Sequence, residues 1–424
     1  MEPKKLSYSA IKLLSPVCAV SVLSFSSLSL AADCHSNPID PKGNASALQN
    51  ALQQATNTGR PLTLTGTYYI GADNDADDGM TVLKGINVTL RHDLIVDATG
   101  ATFVAKTDLD GDLFSFDTKS NDNVCSNKNE LADFYWTGGE FDMSRAKAST
   151  VVPMRRLTPP GREGVDKTAD ALSIRGVVNS TNYHKLNELV IEHITYIGTK
   201  GPNDPFYTAG GDSVILMTGA LKATIRYNNF YGVRDAAVYL SAGGDKGQYG
   251  DHFTIHNNYV ERAFDGFTSK RGADNIVMRN NTLNDVVVGL STKSVYAGWQ
   301  ATNVRVVNNT INKAMRAISL ETTNNVTVVD NEINGLGDIV ASQHSIARAN
   351  FNAYSDAFEG ISLIGVQGDN EINTNSIRGI NSTSRESLTT TWGIVTRSYE
   401  GRSTYGVTKT NNTFSNLDKW SKSF

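Results

Sequence analysis

Asparagine pairs return along the chain at a near-regular interval, each behind a short β-rich run, and no other feature restricts the fold so tightly. The runs are Thr224-Ile225-Arg226-Tyr227-Asn228-Asn229, Thr254-Ile255-His256-Asn257-Asn258, Val277-Met278-Arg279-Asn280-Asn281, Val306-Val307-Asn308-Asn309 and Thr408-Lys409-Thr410-Asn411-Asn412, with Asp330-Asn331 a substituted member. From the second member of each pair, the steps from Asn229 to Asn331 are 29, 23, 28 and 22 residues. A period of this length means stacked units, each too small to bury an apolar face alone. Asparagine suits a tight turn because it tolerates left-handed backbone, and its amide can bond the equivalent amide one unit on.

A second strand recurs in each unit. Eight six-residue segments align: Asp170 to Arg175, Asp212 to Met217, Ala236 to Ser241, Asp265 to Lys270, Val288 to Lys293, Arg316 to Glu321, Glu359 to Ile364 and Trp392 to Arg397. Their third residue is apolar throughout. Alternation then predicts positions three and five in the core and four and six outside, on rungs about 4.8 Å apart. Helix-rich folds are excluded, and a propeller needs a longer, four-strand unit. The fold expected is all-β, a right-handed parallel β-helix (solenoid) over residues 33–424. Ala47, Leu48, Ala51, Leu52 and Ala55 recur at helical spacing behind Asn44, a candidate N-cap, and a strand-like run, Leu62 to Ile70, follows. Such a short helix would cap the open coil, whose strand edges would otherwise meet other chains. Insertions at 143–167, 198–211 and 336–356 interrupt the period and are expected to wall a groove.

The first 32 residues read as a secretory signal: Lys4, Lys5 and Lys12, an apolar stretch from Leu13 to Leu30, then Ala31-Ala32. A secreted or periplasmic protein is expected, with no membrane association after cleavage. Losing one acid and three bases with that segment takes the formal net charge from −4 to −6, which disfavours nucleic acid and anionic membrane as partners. A local basic groove could still bind an acidic polysaccharide. Cys34 and Cys125 remain as an even pair in an oxidising compartment, and a disulfide between them is expected. A monomer is favoured.

The sixth outward column reads Arg175, Met217, Ser241, Lys270, Lys293, Glu321, Ile364 and Arg397, with Arg271 following Lys270 and Tyr239 one rung away in the fourth. Two ammonium groups at rung spacing repel, so one pKa is expected to fall and leave a usable base. In β-elimination on a uronate, the C5 proton becomes acidic once the carboxylate is neutralised. A base then removes it while the C4 oxygen leaves. Lys270 is the candidate base, Arg271 and Lys293 would hold the carboxylate, and Tyr239 would donate to the leaving oxygen. Arg175, Glu321, Ser241 and Arg397 are candidate substrate contacts. Asp212, Asp235 and Asp265 start neighbouring strands and could hold calcium.

The coil pattern, the cap helix and the Asp265-Gly-Phe-Thr-Ser-Lys270-Arg271 segment resemble the pectate-lyase-like superfamily of polysaccharide lyases and epimerases. A Ser-Lys strand end followed one coil later by another basic residue is similar to the alginate and chondroitin lyases. That resemblance implies a lysine base at Lys270 and a calcium-binding acid at Asp265, with Lys293 roughly where those enzymes carry an arginine. The Arg-His-Gly step of those lyases and the Asp-Pro-His-Asp motif of the alginate epimerases are absent. Length, export signal and architecture also resemble lyase-like proteins encoded with biofilm-matrix exopolysaccharide genes. Two other functions stay open. A glycoside hydrolase could draw on Glu321, Glu359, Asp235 and Asp265. A non-catalytic glycan-binding solenoid could use Thr268, Ser291, Ser319 and Ser362 as a sugar platform.

Overall fold

The computed structural model describes residues 36–71, 85–109, 111–118, 132–149, 164–165, 169–176, 186–241, 250–270, 272–293, 300–338, 357–380 and 390–423. The expected signal segment, Cys34, Cys125 and Arg271 lie outside the described residues.

The chain is a right-handed parallel β-helix, and among the described residues 27 strands join in one sheet that coils on itself. Each central coil has three faces. The first is a short strand, Ala220–Arg226, Gly250–His256, Ala273–Arg279, Ala301–Val307 or Thr323–Val329. The second and third faces share one long strand bent in the middle, Asn229–Ser241, Tyr259–Lys270, Thr282–Lys293 or Thr310–Glu321. Among the described residues the strand pairings between coils are parallel, for example Tyr239 with Thr268 and Thr268 with Ser291, with local register shifts such as that between Val233 and Ala236. Inward positions carry Ile225, Ile255, Phe267, Leu290 and Ile318, all without exposure. Each such side chain contributes about 1.5–3 kcal/mol by leaving water.

The first corner is an asparagine ladder. A left-handed residue opens each turn, among them Tyr227, Asn257, Asn280, Asn308 and Asp330 at φ between 53° and 57°. The next residue, Asn228, Asn258, Asn281, Asn309, Asn331 or Asn375, is almost fully buried. Its Nδ2 donates to the Oδ1 of the next coil's asparagine at 2.9–3.1 Å, up to Asn412. The expected amide stacking is therefore present, with two adjustments. In the first pair the ladder residue is Asn228, not Asn229, and Asn375 joins without an asparagine before it.

At the N-terminal end, α1 (Ala45–Thr58) covers the coil, with Asn44 Oδ1 accepting from the Ala47 amide as N-cap. Leu48, Leu52 and Ala55 face the core without exposure. Its outer side chains satisfy the strand beneath. Gln49 accepts from the Asn87 amide at 3.0 Å, and Gln53 both accepts from the Thr89 amide and donates to the Thr89 carbonyl. Glutamines thus occupy backbone groups that a bare edge would leave open.

The third sheet confirms the expected phase for seven of the eight six-residue segments and corrects one. Arg175 pairs with Thr218, which pairs with Ser241, so the segment beginning at Asp212 slips by one residue and Met217 points into the core. Val214 to Met217 are four consecutive apolar residues that fit either phase. The fourth column is also corrected: Thr268, Ser291, Ser319 and Ser362 are at most 2 % exposed, and Ser291 donates to Thr268 at 2.9 Å. Buried hydroxyls bonded to one another are no open sugar platform.

Candidate functional site

The outer side of the third sheet gathers the titratable groups of the central coils. Two polar rows flank the buried hydroxyl column. One contains Asp112, Asp170, Asp212, Asp235, Asp265, Arg316 and Glu359 near the strand starts, and the other contains Lys270, Lys293, Glu321 and Arg397 at the strand ends. Parallel register stacks them, because Ser241 pairs with Lys270 and Lys270 with Lys293.

Lys270 and Tyr239 meet directly: Nζ lies 4.1 Å from the Tyr239 ring centroid. Both are partly exposed. A cation over an aromatic face is favoured as the cation, so this contact stabilises the ammonium. Lys293 turns the other way, into an ion pair with Asp265. Burial lowers its pKa, but the carboxylates of Asp265, Asp235 and Glu321 outweigh that and hold it above the ordinary lysine value. The expected loss of basicity through repulsion by Lys270 is therefore corrected at Lys293. Acidic neighbours at closer range decide the sign.

Asp170, Asp212 and Asp265 in the acidic row are buried, and Asp235 is half-buried. Asp170 has no exposure, and its Oδ1 accepts from the Ser213 amide at 3.0 Å. Burial first, then the charges of Asp112, Asp212 and Asp235, push its carboxyl well above the usual carboxylate range. Asp212 is pushed up by burial and by Asp235, against the pull of Arg234. Asp235 is pushed up by burial and by Asp265, against Lys270 and Lys293. Like charges in a dry row cannot all ionise. The site therefore sets carboxyls that are pushed towards the protonated form beside a lysine-paired carboxylate, Asp265. Glu321 is likewise raised by burial, with Lys293 and Arg316 opposing.

Further along, Glu359 is fully buried between Arg316 and Arg397, at 3.0 Å from Arg316 Nε and 3.0 Å from Arg397 Nη1. Sequence reading placed Arg397 as a free substrate contact. Its guanidinium is instead held by Glu359 and Ser362. Ser241 is buried without exposure, whereas Arg175 is exposed and spans to Asp112 at 3.4 Å, one coil away. Arg316, Arg234 and Asp170 were missed as site residues. A charged residue at the first position of a core-facing strand was the available signal for Arg316 and Asp170.

The three aspartates proposed for calcium do not make a cradle as arranged. Asp212 and Asp235 precede the first column, while Asp265 lies within it, paired to Ala236. Burial and mutual repulsion push the carboxyls of two of them up, and the third holds Lys293. Among the described residues, no three His, Cys, Asp or Glu side chains converge to hold a metal.

No curated protein matches the chain. Its fold is similar to that of the mannuronan C-5 epimerase AlgE4 A-module of Azotobacter vinelandii, at 13% identity over 92% of this chain and 96% of that one, with a TM-score of 0.44. It is also similar to the polygalacturonase of Erwinia carotovora ssp. carotovora, at 12% identity over 91% of this chain and 96% of that one, with a TM-score of 0.33. The family described as "Right handed beta helix region" matches residues 187–311. The chain is thus a right-handed parallel β-helix whose central coils carry the right-handed β-helix region.

Proposed function

We propose that the protein is an exported enzyme that cleaves an acidic, uronate-containing exopolysaccharide such as biofilm matrix by β-elimination. The observation that carries this reading is the ammonium of Lys270 on the ring of Tyr239, partly exposed and in register with Lys293. A uronate carboxylate set against Lys270 is neutralised, which acidifies the C5 proton. Because stacking keeps Lys270 as the cation, the base role first given to it passes to Tyr239. In the proposed step Tyr239, acting as its phenolate, takes the C5 proton, the C4–C5 double bond forms, the C4–O bond breaks, and the leaving oxygen recovers the proton. Lys293 and Asp265 position this pair. No step requires calcium.

One observation favours hydrolysis as a second reading: Asp235, its carboxyl pushed up by burial and by the charge of Asp265, stands beside the lysine-paired Asp265, and hydrolysis uses such a division between an acid and a carboxylate. Incubating the mature protein with acidic exopolysaccharides, with and without a chelator, separates the two. Growth of the ultraviolet band of an unsaturated uronate, indifferent to chelator and abolished in Tyr239→Phe and Lys270→Ala, supports elimination. New reducing ends without the band contradict it.

A further inference from the structure

Around the corner from this strip, on the second sheet, the insertion after Ile197 stands over a cavity of about 440 Å³. Tyr231, Glu261 and Arg262 form its sheet side, and Thr199, Lys200, Pro202 and Asn203 its loop side. We infer that this cavity is a separate binding site for one uncharged pyranose unit of a glycan, stacked on Tyr231.

The loop is fixed before any ligand arrives. Arg234, without exposure, donates to the Tyr207 carbonyl at 2.7 Å, and Arg262 Nε donates to the Asp204 carbonyl at 3.2 Å. Phe206 is buried and packs at 6.0 Å against Phe264. Within the loop, Thr199 Oγ1 donates to the Gly201 carbonyl and the Gly201 amide to Asp204. Two arginines and an aromatic anchor therefore hold a wall over open space, and a preformed site saves ordering entropy on binding.

The lining selects the occupant. Arg262 Nη1 lies 3.2 Å from Glu261, and Glu261 also accepts from the Tyr259 hydroxyl, so the charges on the sheet side cancel. A neutral ring suits that cancelled sheet side, and the exposed Lys200 on the loop side is the remaining lining charge that would draw a uronate, which the glucuronate probe reads. Tyr231 is partly exposed and tilts against Tyr259 at 5.8 Å, which fixes its ring and offers a face to axial C–H groups. Glu261 and Arg262 supply an acceptor and donors for hydroxyls at the ring edge. Only the choice of a sugar as ligand leans on the polysaccharide reading.

Saturation-transfer NMR on the whole protein tests this, with methyl glucoside, methyl galactoside, methyl mannoside and glucuronate as probes at about 20 mM. Transfer is expected to at least one neutral pyranoside. It should weaken about tenfold in affinity in Tyr231→Ala and stay within about twofold in Tyr231→Phe. Glu261→Gln should weaken it as well. Lys270→Ala should leave it intact, so loss of elimination and loss of this site remain distinguishable. No transfer to any neutral probe, transfer to glucuronate alone, or transfer unchanged in Tyr231→Ala with the far-ultraviolet dichroism preserved would overturn the inference.

Discussion

Asn281→Ala is the sharpest test of what holds the coils in register. Asn281 is 1 % exposed. Its Oδ1 accepts from the Asn258 amide at 3.0 Å and from Asn258 Nδ2 at 3.1 Å, and its Nδ2 donates to the Ile255 carbonyl at 3.0 Å and to Asn309 Oδ1 at 2.9 Å. Two of those partners keep other bonds: Asn258 Nδ2 still reaches Ile225 and His256, and Asn309 Oδ1 still accepts from the residue 281 amide. The Asn258 N–H loses its bond, and the Ile255 carbonyl, in the ladder opposite Met278, is left one bond short. At about 1–3 kcal/mol per buried polar group left short, with a small void added, alanine should cost about 3–5 kcal/mol. The preceding residue provides the control. Asn280 sits at φ 55°, and its Oδ1 accepts only an exposed bond from Asn308. Asn280→Ala should cost about 1 kcal/mol, mostly for placing alanine in the left-handed region. Urea unfolding followed by far-ultraviolet dichroism reads both. Equal losses, or a loss below about 1 kcal/mol for Asn281→Ala, would refute the claim that the buried amide and not the turn conformation sets the register.

Three further outcomes follow from the same contacts. Lys293→Met leaves the 4 %-exposed Asp265 side chain without its ion partner and should destabilise by about 3 kcal/mol; the double variant with Asp265→Asn should recover most of that in urea unfolding. Asp170 has a folded pKa raised above its ordinary 3.8, so the folded state holds a proton that the unfolded chain has lost. That contribution is fully present below about 3.8 and is lost as pH rises through the folded value, so Asp170→Asn should stabilise the protein near neutrality and have little effect at acid pH, read as melting temperature against pH. At Gly289 an added Cβ would stand 2.4 Å from the Ala317 carbonyl oxygen, which the sheet cannot move; Gly289→Ala should cost about 2–3 kcal/mol in the same urea assay.

The solenoid was legible because its two signals repeat: a turn residue that tolerates left-handed backbone and an apolar third position. Repetition averages over local ambiguity, which is why seven segments align correctly. Val214 to Met217 fail because an unbroken apolar run has no phase of its own. The second position offered help that was not taken, since Ala171, Ala237, Gly266, Gly289, Ala317, Gly360 and Gly393 are all small. At Gly266 the next rung's Gly289 carbonyl would meet a Cβ at 2.5 Å, so that column marks the tight bend directly. The juxtaposition of Lys270, Lys293 and Tyr239 was likewise readable from rung arithmetic. Their electrostatics were not. Which carboxylate pairs with Lys293, and how the carboxyls of Asp212 and Asp235 are pushed up, depends on burial and on neighbours several coils distant in sequence. The Arg316–Glu359–Arg397 group spans the insertion at 336–356, where the period is broken.

The central claim, elimination at the Lys270 and Tyr239 strip, is tested most directly by digesting acidic exopolysaccharide in heavy-oxygen water and weighing the products. Elimination breaks the C4–O bond without consuming solvent. The account predicts fragments lighter by one water than hydrolysis products and free of solvent oxygen in the newly formed unsaturated end. Fragments that carry one heavy oxygen per bond cleaved, on only one of the two new ends, with no unsaturated uronate, would contradict it and assign the chemistry to Asp235 and Asp265.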